Sequence, residues 1–122
     1  MQQPNRFASL VQEAKARIKE ASVDEIKARL DRGERFYLID VREESEWGRG
    51  HVPSAGWLSR GILETQIERA IPDAESDIVL YCGGGSRSAL AAESLQRMGY
   101  TNVTSMDGGF GGWVRAGYPI ER

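Results

Sequence analysis

The sequence predicts an α/β domain in which helices cover both faces of a small parallel sheet. The first observation behind this prediction is a set of compact apolar runs at residues 36–41, 78–81 and, more weakly, 103–106. Such runs are typical of strands buried on both faces. The second observation is a helical pattern over residues 88–98, between the last two runs, which Gly99 ends. A strand, a helix and a strand at this spacing form a βαβ unit, so the strands should be parallel and the crossover right-handed.

The size and charge of the chain restrict the function classes. A chain of 122 residues is one domain with room for a core that needs no disulfide or metal. Sixteen Lys and Arg stand against eighteen Asp and Glu, which argues against a nucleic-acid partner because phosphate binding needs a surplus of cations. No apolar run approaches the ~20 residues of a membrane span, and the N-terminus does not resemble a signal peptide. We therefore expect no membrane partner, no secretion and a cytoplasmic location.

Further helices are expected outside the βαβ unit. Apolar residues at helical spacing predict an amphipathic helix at residues 7–19. Its apolar stripe packs on the domain's own core or, alternatively, docks a partner protein. Ser22 and Glu25 have the spacing of a capping box and begin a helix that Gly33 ends. Shorter helices are expected at residues 61–70 and 110–116.

Counts of cysteine and histidine restrict the chemistry. The chain has one cysteine, Cys82, and one histidine, His51. An intramolecular disulfide, a CxxC redox pair and a metal site of several cysteines or histidines are therefore excluded. We expect no metal and no cofactor, and any covalent chemistry should use the thiol of Cys82.

Cys82 begins a glycine-rich loop between a strand and a helix. In an open α/β sheet, ligands bind at the carboxyl ends of the strands, where this loop lies. Glycines let the backbone curl so that its amides point inward, and the arginine adds a planar cation suited to oxyanions. Taken separately, Cys82 could be a small core residue and the glycines an ordinary turn. Neither interpretation explains why Arg87 follows them at the start of a helix. We predict a thiolate nucleophile able to carry an anion such as a persulfide, with these residues around it: Cys82 as nucleophile and Gly83, Gly84, Gly85, Ser86 and Arg87 as substrate-binding residues.

The loop resembles the active loop of single-domain rhodaneses, a family of sulfurtransferases. Residues 82–87 match the pattern C-x-x-G-x-R, and Ser88 occupies the usual Ser/Thr position that follows. Residues 40–55 and 107–119 resemble, in the same order, the family's D-V-R…G-H-I-P-G-A and G-G…W…A-G-x-P blocks. We therefore assign a rhodanese-like domain to residues 22–122 and an N-terminal helical extension to residues 1–21. Two residues depart from the pattern: Ser54 replaces the usual Gly, and Trp47 stands where Phe or Tyr is common.

The resemblance implies five parallel strands and a double-displacement reaction. Cys82 would take a sulfane sulfur from a donor such as thiosulfate, become a persulfide, and pass the sulfur to cyanide or a thiol. The partners are then a small sulfur-donor anion and its acceptor, with a possible protein partner at the N-terminal helix. Related phosphatases place five residues between Cys and Arg, whereas this chain has four. The alternatives left open are a non-catalytic sulfur carrier or docking module, and an arsenate or phosphate-ester enzyme.

Other polar residues are expected to support the loop. Asp40 ends a buried strand at the same sheet edge and needs a partner, which would be Arg42 or a loop amide. We predict that Asp40, Arg42 and Ser88 support the loop, and that Arg87 both guides an anionic donor and binds a carboxylate. Arg60 either lines the mouth of the site as a substrate-binding residue or lies in solvent. The family block assigns His51 to a structural turn rather than to catalysis. Trp57 and Trp113 are expected to pack, and Trp113 is a candidate for the wall of the site.

Overall fold

The computed structural model describes residues 5–122 and confirms an α/β fold with a five-stranded parallel sheet. The strand order is β1-β5-β4-β2-β3, so β4 lies at the centre. Every neighbouring pair is parallel. The elements, in chain order, are α1 (Arg6–Lys15), β1 (Lys19–Ser22), α2 (Val23–Asp31), β2 (Tyr37–Asp40), α3 (Glu44–Arg49), β3 (Gly56–Trp57), α4 (Leu63–Ala70), β4 (Ile78–Tyr81), α5 (Ser86–Arg97), β5 (Val103–Asp107) and α6 (Gly109–Arg115).

The central strand β4 is apolar on both sides because helices cover both faces of the sheet. Ile78 and Leu80 belong to the core layer that includes residues of α4 and α5. Val79 and Tyr81 belong to the opposite layer, which includes residues of α2 and α6. Cys82 continues this alternation one residue beyond the strand and belongs to the first layer. The fold therefore directs its side chain toward the face covered by α5.

The N-terminal region differs from the sequence prediction. The helix expected at residues 7–19 ends at Lys15, and Lys19–Ser22 form β1, which pairs with β5 at the edge of the sheet. Val11 and Ala14 are buried where α1 lies against α5. The division into an extension at 1–21 and a domain at 22–122 stays a prediction, and residues 19–21 of that extension lie in the sheet.

The other differences concern boundaries and short elements. Helix α5 begins at Ser86, two residues earlier than the apolar pattern indicated, and α4 begins at Leu63 rather than at residue 61. The sequence pattern did not reveal α3 or β3, because a six-residue helix and a two-residue strand are too short to show a period. None of the helices in the described part of the chain combines the length and the apolar character that a bilayer span requires.

Candidate active site

The sulfur of Cys82 lies within a ring of hydrogen-bond donors. The backbone N–H of Gly85 donates to Sγ at 3.1 Å, and that of Ser88 at 3.3 Å. The hydroxyl oxygen of Ser88 lies 3.5 Å from Sγ. Cys82 is only 1% exposed, so the sulfur is enclosed by the loop and the surrounding core. Gly84, by contrast, is exposed and forms the outer surface of the loop.

Burial and hydrogen bonding change the pKa of the Cys82 thiol in opposite directions. Burial is the largest single influence and raises the pKa, because the thiolate loses its hydration. Hydrogen bonds from the hydroxyl and amide of Ser88 and from the amides of Gly85 and Gly84 lower it, and together they outweigh the burial. The pKa of Cys82 therefore lies below its ordinary value. Charge attraction to Arg87 acts in the same direction, so the site favours the nucleophilic thiolate.

Helix α6 fixes the orientation of the loop peptides. The N–H of Phe110 donates to the carbonyl of Cys82 at 2.7 Å, and that of Gly111 donates to the carbonyl of Gly83 at 2.9 Å. In a trans peptide the carbonyl and the next N–H point in opposite directions. Holding these two carbonyls against α6 therefore turns the N–H groups of Gly83 and Gly84 away from the helix. This contact therefore helps to orient the amide of Gly84, which lowers the pKa of Cys82.

The approach of α6 to the loop requires glycine at position 109. Gly109 has φ +56°, and a Cβ there would lie 2.5 Å from the carbonyl oxygen of Cys82 and 2.7 Å from the carbonyl carbon of Gly83. A side chain would therefore occupy the space of the loop backbone. The sequence signal for this contact was the glycine-rich block at residues 107–113, which the resemblance included without indicating its role.

Arg87 binds a carboxylate, as expected, and the partner is Glu46. The two guanidinium nitrogens Nη1 and Nη2 donate to Oε1 and Oε2 at 2.7 and 3.0 Å. This bidentate pair joins α5 to α3, and Nη2 lies 3.1 Å from where a Cβ on Gly83 would stand. Hydrogen bonding from Arg87 lowers the pKa of Glu46 to about 2. The guanidinium is therefore held beside the loop, while its predicted role in guiding an anionic donor stays a prediction.

The other charged residues predicted to support or line the site form ion pairs outside residues 82–88. Asp40 and Arg42 form a buried ion pair with an N···O distance of 2.7 Å, and Arg42 also donates to the carbonyl of Gly50 at 2.7 Å. Neither side chain makes a hydrogen bond to residues 82–88 in the described part of the chain. The pair joins β2 to the turn at residue 50, and its predicted support of the loop stays a prediction. Arg60 pairs with Glu64 at 2.8 Å and likewise makes no hydrogen bond to the loop, so its role in substrate binding stays a prediction.

His51, which the resemblance assigned to a structural turn, and Trp113, which was expected to pack, both pack against other residues. His51 stacks on Trp47 with ring centroids 3.5 Å apart, and its Nδ1 lies 3.2 Å from the carbonyl oxygen of Trp47. Trp113 is 1% exposed and belongs to the core layer on the α2 and α6 side, so it does not wall the site. Ser54 has φ +74°, the left-handed region, which explains why glycine is usual there.

Two contacts near the loop were missed from the sequence. Ser105 of β5 lies behind Ser88, with 2.8 Å between the hydroxyl oxygens. Lys15 of α1 pairs with Asp107 at 3.2 Å, and an Asp107 carboxylate oxygen lies 3.4 Å from where a Cβ on Gly85 would stand. Strand alternation places Ser105 on the face of β5 that α5 covers, but no local pattern shows which side chain it meets.

The fold and the site place the chain in the class of α/β proteins that carry a reactive cysteine at the carboxyl edge of a parallel sheet. The chain belongs to the rhodanese family, because the model of the Rhodanese-like domain matches residues 22–116.

Two similar proteins have names that agree with this assignment, and a third has a different name. The chain is 31% identical over 103 residues to a sulfurtransferase of Allochromatium vinosum, which covers 84% of this chain and 94% of that protein. A solved polysulfide-sulfur transferase of Wolinella succinogenes has a TM-score of 0.78 and 29% identity, covering 94% of this chain and 86% of that one. A solved protein of unknown function from Rhodopseudomonas palustris, named as a possible tyrosine phosphatase, has a TM-score of 0.88 and 32% identity, covering 99% of both chains. The family and its relatives support a transferase of the rhodanese type.

Proposed function

We propose that the protein is a sulfurtransferase that carries sulfane sulfur on Cys82 as a persulfide. The thiolate attacks the outer sulfur of a donor such as thiosulfate, a new S–S bond forms, and sulfite leaves with the electron pair of the broken bond. A thiol or cyanide then attacks the outer sulfur of the persulfide, and Cys82 leaves as the thiolate. The first step needs no general base when Cys82 attacks as the thiolate, and the second needs none when the acceptor attacks as an anion, either cyanide or a thiolate.

One observation carries this proposal: the amides of Gly85 and Ser88 are directed at the Cys82 sulfur while α6 holds the loop carbonyls on the other side. Fixed dipoles of this kind stabilise an anion without reorganising during the reaction. The outer sulfur of a persulfide would be bound by the same loop, through Gly83, Gly84, Gly85 and Ser86. Arg87 would attract an anionic donor, and Arg60 would act further from the sulfur.

A phosphate-ester activity is the competing enzymatic function, because one solved relative is named as a possible tyrosine phosphatase. Four residues separate Cys82 from Arg87, whereas the related phosphatases have five. The shorter loop encloses a smaller anion, which favours one sulfur atom over a phosphate group. Hydrolysis of p-nitrophenyl phosphate that depends on Cys82 would support the phosphatase instead.

Mass spectrometry of the intact protein tests the proposal directly. After incubation with thiosulfate, we expect a gain of ~32 Da, which cyanide removes and which Cys82→Ser abolishes. Steady turnover with thiosulfate and cyanide separates an enzyme from a sulfur carrier that is loaded only once. Arg87→Ala should lower kcat/KM for thiosulfate, with a loss of transition-state stabilisation of about 2–4 kcal/mol. A wild-type protein that gains no mass from thiosulfate or from a persulfide donor would refute the proposal.

Partner binding through α1 is a further part of the proposal. Phe7 and Leu10 are 52% and 51% exposed on this helix, so apolar side chains are available to a protein that receives the sulfur. The cytoplasmic location expected from the sequence is also a proposal.

A further inference from the structure

A chain of two buried hydroxyl groups leads from the interior of the sheet to the Cys82 sulfur. Ser105 Oγ lies 2.8 Å from Ser88 Oγ, which in turn lies 3.5 Å from Cys82 Sγ. Both serines are 0% exposed, so neither hydroxyl is in contact with bulk water. Within residues 5–122, Ser88 is the side-chain hydrogen-bond partner of Ser105.

We infer that Ser105 is a positioning residue for Cys82. The Ser105 hydroxyl fixes the Ser88 hydroxyl against the sulfur and strengthens Ser88 as a hydrogen-bond donor to the anionic sulfur. When Ser105 donates to Ser88 Oγ, the hydrogen of Ser88 points to the remaining acceptor within reach, the sulfur. A hydroxyl that accepts a hydrogen bond is polarised and becomes a stronger donor. The benefit to catalysis rests on the proposed sulfur transfer, whereas the effect on the thiol does not.

The same two hydroxyls also suit the neutral thiol. When Cys82 is protonated, its S–H donates to Ser88 Oγ, and Ser88 donates to Ser105 instead. Both protonation states are therefore accommodated by rotating two hydroxyl hydrogens, with no displacement of heavy atoms. The thiolate and the persulfide gain more from the arrangement, because a hydrogen bond to a charged acceptor is stronger than one to a neutral acceptor.

The charged groups around Cys82 do not replace this contribution. On α5, Arg87 attracts the thiolate, and Glu46 of α3 pairs with it. At the end of β5, Asp107 is paired with Lys15 of α1. At the end of β2, Asp40 is paired with Arg42. On α4, Glu64 is paired with Arg60. Because none of these pairs involves Ser88 or Ser105, a change in thiol reactivity on removing a serine hydroxyl would report the hydroxyl chain.

The pH dependence of Cys82 alkylation by iodoacetamide tests the inference, since Cys82 is the chain's single cysteine. We expect Ser105→Ala to move the midpoint of the profile to higher pH and to slow alkylation at pH 7 by about two- to fivefold. Ser88→Ala removes the direct donor and should slow it by about tenfold. In the Ser88→Ala background, Ser105→Ala should have no further effect, because its influence passes through Ser88.

Two matched variants separate the hydroxyl from packing. Ser105→Thr keeps a hydroxyl at the position and should retain the wild-type midpoint. Thr104→Val removes a hydroxyl from the adjacent residue of β5, which faces the opposite side of the sheet, and should also leave the midpoint unchanged.

The inference is overturned if Ser105→Ala leaves the pH profile unchanged, if its effect is the same with and without Ser88, or if Ser105→Thr shifts the midpoint as far as Ser105→Ala does. Failure of the wild-type protein to form a persulfide would refute the proposed function but not this inference, because alkylation needs no sulfur donor.

Discussion

The contact between α6 and the reactive loop can be tested by adding one methyl group. In Gly109→Ala, the new Cβ would lie 2.5 Å from the carbonyl oxygen of Cys82 and 2.8 Å from that of Gly83. Distances below 3.0 Å essentially never occur for a real Cβ, and both neighbours are backbone atoms that cannot rotate away. The substitution must therefore move either the loop or the start of α6.

Three effects of Gly109→Ala should lower the free energy of unfolding. Alanine in the left-handed region costs about 1–2 kcal/mol, and steric overlap in a packed interior costs about 1–3 kcal/mol. Separation of the two elements also weakens the hydrogen bonds from Phe110 and Gly111 to the loop, each contributing about 1 kcal/mol. We expect the free energy of unfolding to fall by about 3–6 kcal/mol, which is a large part of the stability of a small domain.

Gly117→Ala is the matched control for this experiment. Gly117 follows the same helix, has φ +78°, and would place its Cβ with nothing within 4 Å. It therefore isolates the backbone cost of about 1–2 kcal/mol. Urea denaturation measures the stability of both variants, and iodoacetamide alkylation measures the reactivity of Cys82. Equal stability losses in the two variants, with unchanged thiol reactivity in Gly109→Ala, would refute the claim that α6 sets the geometry of the loop.

Three further predictions concern charge and backbone conformation. The pKa of Glu46 is depressed to about 2, so its pairing with Arg87 stabilises the fold fully above pH 4.5 and less as the pH falls toward 2. Glu46→Gln should therefore be less stable at pH 7 and lose less stability on acidification, which acid titration of both proteins by circular dichroism measures. Equal losses of stability with falling pH in the two proteins would contradict this. Ser54→Gly relieves a left-handed backbone with φ +74° and should raise the free energy of unfolding by up to about 1 kcal/mol, whereas a lower melting temperature would argue against strain. Lys15→Met leaves the carboxylate of Asp107 unneutralised beside the loop and should raise KM for thiosulfate about two- to threefold with kcat unchanged; Asp107→Asn in that background should restore KM, and no recovery would exclude this charge effect.

Local signals in the sequence were sufficient for much of the fold. The apolar runs located β2, β4 and β5, and the capping box at Ser22 and Glu25 begins α2 as expected. The single cysteine restricted the chemistry, because a disulfide, a CxxC pair or a metal site of several cysteines or histidines needs further residues of these types. Strand β1 was missed because three of its four residues are exposed and two are charged. Its pairing with β5, rather than its own periodicity, makes it a strand.

The sequence by itself determined the βαβ core, the strand–loop–helix around Cys82 and the kind of chemistry this thiol can perform, because each depends on residues adjacent along the chain. Only the tertiary structure decided which groups surround the loop. Glu46 reaches Arg87 across 41 residues, and Ser105 reaches Ser88 across 17. Helix α6 holds the carbonyls of Cys82 and Gly83 from beyond β5. Such partners are chosen by the packing of distant elements against one sheet, since no local sequence pattern specifies which distant side chains fill the same space.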